Sequence, residues 1–509
     1  MCDEPERTHT FKSEPQFKEL LSSMTLQLDD ERIRGVVEGY FQYVMFSHVW
    51  QGEEEPSFQD VNLAGSIWDL DESFPLNQKL HKFCEVVRSD GYRWAWSDTC
   101  CIDKTISTVL NQSLKMMYKW YEASAATFVL LVDVTSMSVL GALLESIWMT
   151  RAWTSQELLA PKVIRFYTRD WKPYLGDIRS NHKESPEIME ELANAIGIPR
   201  ETIIAFDPDH LCVREKLRLA SMRNAKLEED IAYSLIGIFK SDIKPDYGEG
   251  YAALGHLLEE IVARSGKVTV LDWIGKSSPY NSCLPATLAV YSQPLGASSS
   301  IDDDEMTTRV AALRTSLSQM DAMLIYDRIT RLPSARFGSR RLHLPCIIFA
   351  VKKLSVQESD DHECRYRARV TGIGEVEFQT SDRLSPTEPR KLILVHPWIR
   401  NLHEPLDGFA RRTIYEVTDE DEVESDSETE EGSASSSPLH AVPSITMDDY
   451  TRALRLVVRL QQPFRALLLQ HQPDGQFKRV AAEREILIRG FNRKINFAKD
   501  VHIEVVEIL

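Results

Sequence analysis

The stretch Ser113–Val134, "SLKMMYKWYEASAATFVLLVDV", changes its period halfway along. In its first half Leu114, Met117, Tyr118 and Tyr121 recur at i, i+3, i+4 and i+7, which lines one face of a helix. Its second half, "ATFVLLVDV", is an unbroken apolar run, the pattern of a strand buried on both faces. The same alternation extends both ways along the chain. Upstream, "YVMFSHVW" (Tyr43–Trp50) and "RWAWSD" read as strands. Between them lies a helix whose stripe is Leu80, Phe83, Cys84 and Val87, with Gly91 placed to take a left-handed cap. Downstream, "ALLESIWMTRAWTSQELLA" reads as a helix in two pieces and "KVIRFYT" as a fourth strand. Strand and helix at this spacing predict βαβ units, and hence a parallel sheet covered by helices.

In such a sheet the ligand crevice lies beyond the carboxyl ends of the strands. The residues at those ends are Ser47, His48 and Trp50, then Asp98 to Asp103, then Asp133, with Glu157 on the last helix before the fourth strand. Each has a plain alternative. Strand-end aspartates commonly cap the next helix. Cys100 and Cys101 could offer a nucleophile with His48 as its base, but a cysteine after a buried strand more often only packs. Trp94, Trp96 and Trp120 read as core. Trp50 precedes the turn "QGEEEP", where its ring could stack on a planar ligand. Thr154-Ser155-Gln156-Glu157 fits a capping box in which Thr154 and Glu157 satisfy each other's amides, and Arg151 could pair with Glu157.

The chain has 509 residues, 43% of them hydrophobic, enough for several domains. The formal charge is −18, and about half of that excess sits in "TDEDEVESDSETEEGSASSS" after Tyr415. That composition predicts a disordered acidic insert over 418–438. There is no basic stripe with interleaved aromatics, so no nucleic-acid role is expected. No Walker loop occurs, and "GIGEVE" at Gly372 reads as a hairpin turn rather than a dinucleotide fingerprint. The eight cysteines lack zinc-ligand or disulfide-framework spacing, and no metal site is expected. The polar amino terminus and the short apolar runs predict a cytoplasmic chain without a membrane span.

The domain reading is a lead-in over 1–39, the α/β sheet over 40–171, a helical extension over 172–275, an irregular linker over 276–340 and a β-rich domain over 341–509. In the last of these, "LHLPCIIFAVKKL", "CRYRARVTGIGEVEF", "KLILVHPWI", "ALRLVVRL" and "FRALLLQHQPDGQFKRVAAEREILIRG" read as strands and turns.

Four blocks in fixed order, "YVMFSHVWQGEEEPSFQD", "DGYRWAWSDTCCIDK", "SLKMMYKWYEASAATFVLLVDV" and "WMTRAWTSQELLAPKVIRFY", resemble the fungal heterokaryon-incompatibility (HET) domain from Tyr43 to Trp171. "RLASMRNAKLEEDIAYSLIGIFKSDIKPDYGEGYAALGHLLEEI" resembles the helical segment that follows this domain in mushroom-type proteins. Gln51 before Gly52, and Ser155 where the family has leucine, depart from its pattern. The resemblance implies a role in non-self recognition, innate immunity and programmed cell death. It also implies a distant likeness to the TIR, flavodoxin-like fold. TIR enzymes that cleave NAD carry a glutamate that Glu157 matches by position, with Trp153 in the W-x-x-x-E-like stretch. The expected site is therefore Glu157 as the catalytic group, with Ser47, His48, Trp50, Asp98, Arg151 and Trp153 binding substrate. No cofactor is expected, with NAD entering as a nucleotide substrate. The other expectation is a non-catalytic adaptor that self-associates or binds a protein partner.

Overall fold

A computed structural model describes residues 4–23, 30–52, 55–266, 268–293, 301–359, 364–398, 447–491 and 501–509. The acidic insert expected over 418–438 lies outside these residues. The chain forms two compact units. The first takes in residues through Ile261, with Ser278–Tyr280 and Leu284–Pro294; the second takes in the rest of the chain from Val262.

Helices α1 (Glu4–Ser13), α2 (Pro15–Ser23) and α3 (Asp30–Phe41) lead into β1 (Tyr43–His48). Then follow α4 (Phe58–Ala64), α5 (Pro75–Ser89), β2 (Trp94–Trp96), α6 (Ser107–Ala123) and β3 (Ala126–Leu131). Three short helices, α7 (Ala142–Glu145), α8 (Ile147–Thr150) and α9 (Thr154–Leu159), precede β4 (Ile164–Thr168). All four strands are parallel, in the order β2-β1-β3-β4. The chain thus steps from β1 to one side, crosses back over it, and continues on the other side. In open α/β sheets a reversal of this kind marks where ligands bind, which here is the carboxyl ends of β1 and β3. Val44, Phe46, Phe128 and Leu130 on the sheet pack with Leu80, Phe83 and Val87 of α5. As expected, the left-handed conformation after α5 falls at Gly91. "ALLESIWMTRAWTSQELLA" makes three helical pieces rather than two, because Ser146 and Arg151 are extended and break it.

The outer edge of β4 is sealed without another strand. Its alternate amides at Ile164, Phe166 and Thr168 donate to Asn181 Oδ1 (3.2 Å), His182 Nδ1 (3.0 Å) and the Lys172 carbonyl (2.9 Å). His182 in turn donates from Nε2 to the Asp177 carbonyl at 3.0 Å, which fixes it as a neutral ring.

Beyond β4 the first unit is helical, with α10 (Pro186–Ile196), α11 (Arg200–Ile204), α12 (Val213–Ser221), α13 (Asp230–Tyr233), α14 (Ile236–Phe239) and most of α15 (Ala252–Ser265). Gly237 of α14 sits so close to α6 that a Cβ there would lie 2.1 Å from the Cβ of Tyr118.

The second unit contains α16 (Asp303–Ser316) and α17 (Gln319–Thr330), where an irregular linker was expected. Asp302 and Ser318 cap them. Their buried stripes are only two or three residues wide, Met306 and Val310 on one and Ala322, Ile325 and Ile329 on the other, so their period is weak in sequence. The strands are β5 (Arg336–Gly338), β6 (Arg341–Ser359), β7 (Cys364–Val370), β8 (Gly374–Thr380) and β9 (Leu392–Pro397). After α18 (Met447–Leu460) come β10 (Phe464–Arg465), β11 (Leu467–His471), β12 (Phe477–Arg479), β13 (Leu487–Ile488) and β14 (His502–Ile508). "GIGEVE" is the hairpin turn between β7 and β8. Strands β14, β12, β11, β9 and β6 close on themselves, because β14 also pairs with β6. "ALRLVVRL", read as a strand, is the end of α18. Over all of that helix Tyr450, Ala453, Leu454, Val457 and Val458 face inward with helical period. Its last eight residues alone could not separate the two periods. Arg479 is buried, stacks 3.8 Å from the Trp273 ring centroid, and donates to the Leu271 and Trp273 carbonyls at 2.7 and 2.8 Å.

Candidate functional site

At the end of β1, Ser47 is fully buried. Its hydroxyl accepts the indole N–H of Trp148 at 2.8 Å and donates to Glu157 Oε2. Ser47 is therefore behind the carboxylate, fixing its direction, rather than on a wall that a ligand could touch. Glu157 is 7% exposed, and among the described residues no hydrogen bond engages its second oxygen. Burial, and then the charge of Asp98, push its carboxyl up to about 8, against the pull of Ser47, Arg151 and Arg223.

The capping box does not form. Trp153 is the residue before α9 and gives no side-chain cap, and Thr154 Oγ1 donates to the Trp148 and Arg151 carbonyls at 2.7 and 2.9 Å. The extended Arg151 turns the chain so that these carbonyls, rather than Glu157, meet the hydroxyl. Freed from the cap, Glu157 points to Ser47.

Next along β1, His48 accepts at Nδ1 from the Lys79 ammonium (3.0 Å), so its Nε2 carries the proton. That nitrogen lies 3.4 Å from Asp98 Oδ1. The Lys79 ammonium also pairs with Glu55. Burial lowers its pKa, and Glu55 opposes the shift. Asp98 at the end of β2 accepts the Trp50 indole N–H on Oδ2 at 2.8 Å. Burial opposes its ionisation, but His48, Lys104 and Trp50 together hold it below the usual carboxylate range.

The structure thus gathers Ser47, His48, Trp50, Asp98 and Glu157 at one strand-end cluster. Arg151 lies within electrostatic range of Glu157. Trp153 points elsewhere: its indole reaches Asp230, which also accepts from Tyr247 at 2.8 Å. Asp103 and Asp133 serve local structure, Asp103 on the Thr105 amide and Asp133 on the Ser146 hydroxyl and the Ile147 amide. Among the described residues no group of three or more His, Cys, Asp or Glu is placed to hold a metal ion. The seven described cysteines are free thiols. No described helix is long and apolar enough to cross a membrane.

Sequence reasoning missed Lys79, Glu55, Trp148 and Arg223. Lys79 adjoins the apolar stripe of α5, where a lysine reads as a solvated flank. Arg223 is buried, donates to Thr154 Oγ1 at 2.7 Å and to the Arg151 carbonyl at 2.9 Å, and is pushed down to about 10 by burial. Its signal in the sequence is its place inside "RLASMRNAKLEED", the segment that resembles the helical extension.

What this arrangement offers is a buried carboxyl at the strand ends, one oxygen bonded to Ser47, with the charge of Asp98 in electrostatic range and Trp50 bonded to Asp98 in turn. Residues 43–142 match the family model described as Heterokaryon incompatibility protein (HET). Among curated proteins, Vegetative incompatibility protein HET-E-1 of Podospora anserina is 34% identical over 229 residues, 43% of this chain and 16% of that protein. The chain therefore spans about a sixth of the length of the relative it matches. No solved structure matches the chain significantly.

Proposed function

From the premise that this chain is a fungal protein carrying a heterokaryon-incompatibility (HET) domain, we propose that the domain acts in non-self recognition and cell death by hydrolysing the nicotinamide–ribose bond of NAD through Glu157. The observation that carries this reading is the buried Glu157, oriented by Ser47 and Trp148, with a free oxygen at the carboxyl end of β1. The strand order β2-β1-β3-β4 supports a flavodoxin-like, and so TIR-like, descent, since it repeats the first four positions of that order.

In the proposed reaction the C1′–N bond breaks and its electron pair returns to the pyridinium nitrogen, so nicotinamide leaves neutral. Positive charge develops on the ribose, water adds to C1′, and one proton is released. A carboxylate aimed at the ribose stabilises that charge. Near pH 7 the empty site keeps Glu157 mostly protonated. A cationic ring arriving beside it favours the ionised form, so substrate itself helps prepare the group. Incubating the purified protein with NAD should release nicotinamide, and Glu157→Gln should release on the order of 100-fold less.

A second reading, a non-catalytic adaptor, has one observation in its favour. Met137, Val139 and Leu140, in the loop after β3, are 88%, 75% and 57% exposed, a surface suited to a protein partner or a second copy. An inert wild-type protein that self-associates, and loses association on Val139→Asp, would favour it.

A further inference from the structure

The face of Trp50 is already occupied. Lys104, in the loop between β2 and α6, holds its Nζ 3.7 Å from the centroid of the ring. No carboxylate among the described residues lies within ion-pair distance of that ammonium; the aromatic face is its partner. Trp50 is 38% exposed, so the stack lies at the surface beside the strand ends, where a ligand can reach it.

The choice of partner is informative. An indole face carries the negative side of the ring quadrupole and attracts cations. Here the indole N–H also donates to the carboxylate of Asp98 at 2.8 Å, which draws the proton outward and leaves the ring richer in electrons. The same bond fixes the ring plane. Lysine sits on a flexible stem and can leave. The surface is thus rigid, electron-rich, and filled by a cation that is easily exchanged.

We propose that Trp50, backed by Asp98, recognises a planar cationic ring of the N-substituted pyridinium class, and that Lys104 is the internal cation which such a ligand displaces. This rests on the reading that an NAD-type molecule enters the crevice, and it names what selects that molecule. The oxidised nicotinamide ring carries the charge that the surface requires. The reduced dihydropyridine ring is neutral and gains only stacking, so the site discriminates by redox state before any bond is broken.

The test uses the full chain and two probes, the 1-methylnicotinamide cation and neutral nicotinamide, titrated by calorimetry. They share a ring and differ in charge, and neither has a ribose to lose. The wild-type protein should bind the cation more tightly than nicotinamide. Lys104→Ala, an exposed change, should bind the cation about two- to five-fold more tightly, because the competing ammonium is gone. Nicotinamide must also displace the ammonium but meets no like charge, so its affinity should rise by less than that of the cation. Trp50→Ala should lose cation binding, and adding Lys104→Ala to it should restore nothing, which separates the ring effect from a general change of charge. Equal binding of the two probes, no binding of either, or no tightening by Lys104→Ala would overturn the proposal. The probes cannot be hydrolysed, so this result is independent of whether Glu157 cleaves NAD.

Discussion

Glu157 carries a conflict that can be read by pH. Folded, its carboxyl stays protonated up to about pH 8; unfolded, it ionises near the ordinary value of 4.5. The folded chain therefore holds a proton that the unfolded chain releases. The resulting stability is full below about 4.5, falls as pH rises to about 8, and is flat beyond. Glu157→Gln is neutral throughout and still accepts from Ser47. Its melting temperature should exceed that of the wild type by a margin that grows from pH 5 to pH 8. A constant difference would mean the carboxyl ionises normally. The same variant should lower NAD cleavage by on the order of 100-fold or more, as expected for removing the charge that faces the developing cation. In the wild type, kcat/KM should rise with pH and reach half its limit near pH 8, since the free enzyme must lose that proton. A profile flat from pH 6 to 9 would remove Glu157 from the catalytic step.

At the scale of elements, His182 and Gly237 decide how the first unit is assembled. His182→Ala leaves the buried Phe166 amide without an acceptor and should cost about 1–3 kcal/mol in denaturant unfolding at neutral pH. Burial also lowers the pKa of His182 below its ordinary 6.5, opposed by its hydrogen bond at Asp177. Its neutral form is what the fold uses, so its contribution is complete above about 6.5 and is lost as pH falls. The alanine variant should accordingly show a shallower loss of stability on acidification. Gly237→Ala forces α14 off α6 and should cost about 1–3 kcal/mol. A variant as stable as wild type would mean the two helices can separate freely. The four parallel strands were legible because each is short, apolar and bounded by a helix with a clear stripe. The capping alternative at Glu157 fails because a capping box is a local pattern, whereas the partner of Glu157 is Ser47, 110 residues away. Spacing brought Ser47, His48, Trp50 and Asp98 to the right edge of the sheet. It could not say that Ser47 faces inward, that Lys79 would reach His48 from α5, or that Trp153 would turn to Asp230.

Over the whole molecule, the readings that failed are those that needed a longer window or a distant partner. α18 looked like a strand in eight residues and is a helix in fourteen. α16 and α17 have narrow stripes because only one side of each is buried. Arg479 gives no sign in sequence that it will serve the carbonyls of Leu271 and Trp273, more than 200 positions earlier. Arg479→Met should cost about 2 kcal/mol or more, read as faster amide exchange in β11 and β12, because it leaves buried carbonyls without donors. Arg479→Lys should recover little of this, since one ammonium cannot reproduce the planar fork.

The sealed flank of β4 has a consequence for assembly. A bare sheet margin is a template on which further chains can polymerise, and whole classes of fibril grow in that way. Here the three donors that a newcomer would need are consumed by an asparagine, a histidine and a carbonyl of the same chain. A second copy of this chain therefore cannot add a strand to the sheet at β4. The opposite margin of the same sheet is β2, which is only three residues long and so offers a newcomer little to pair with.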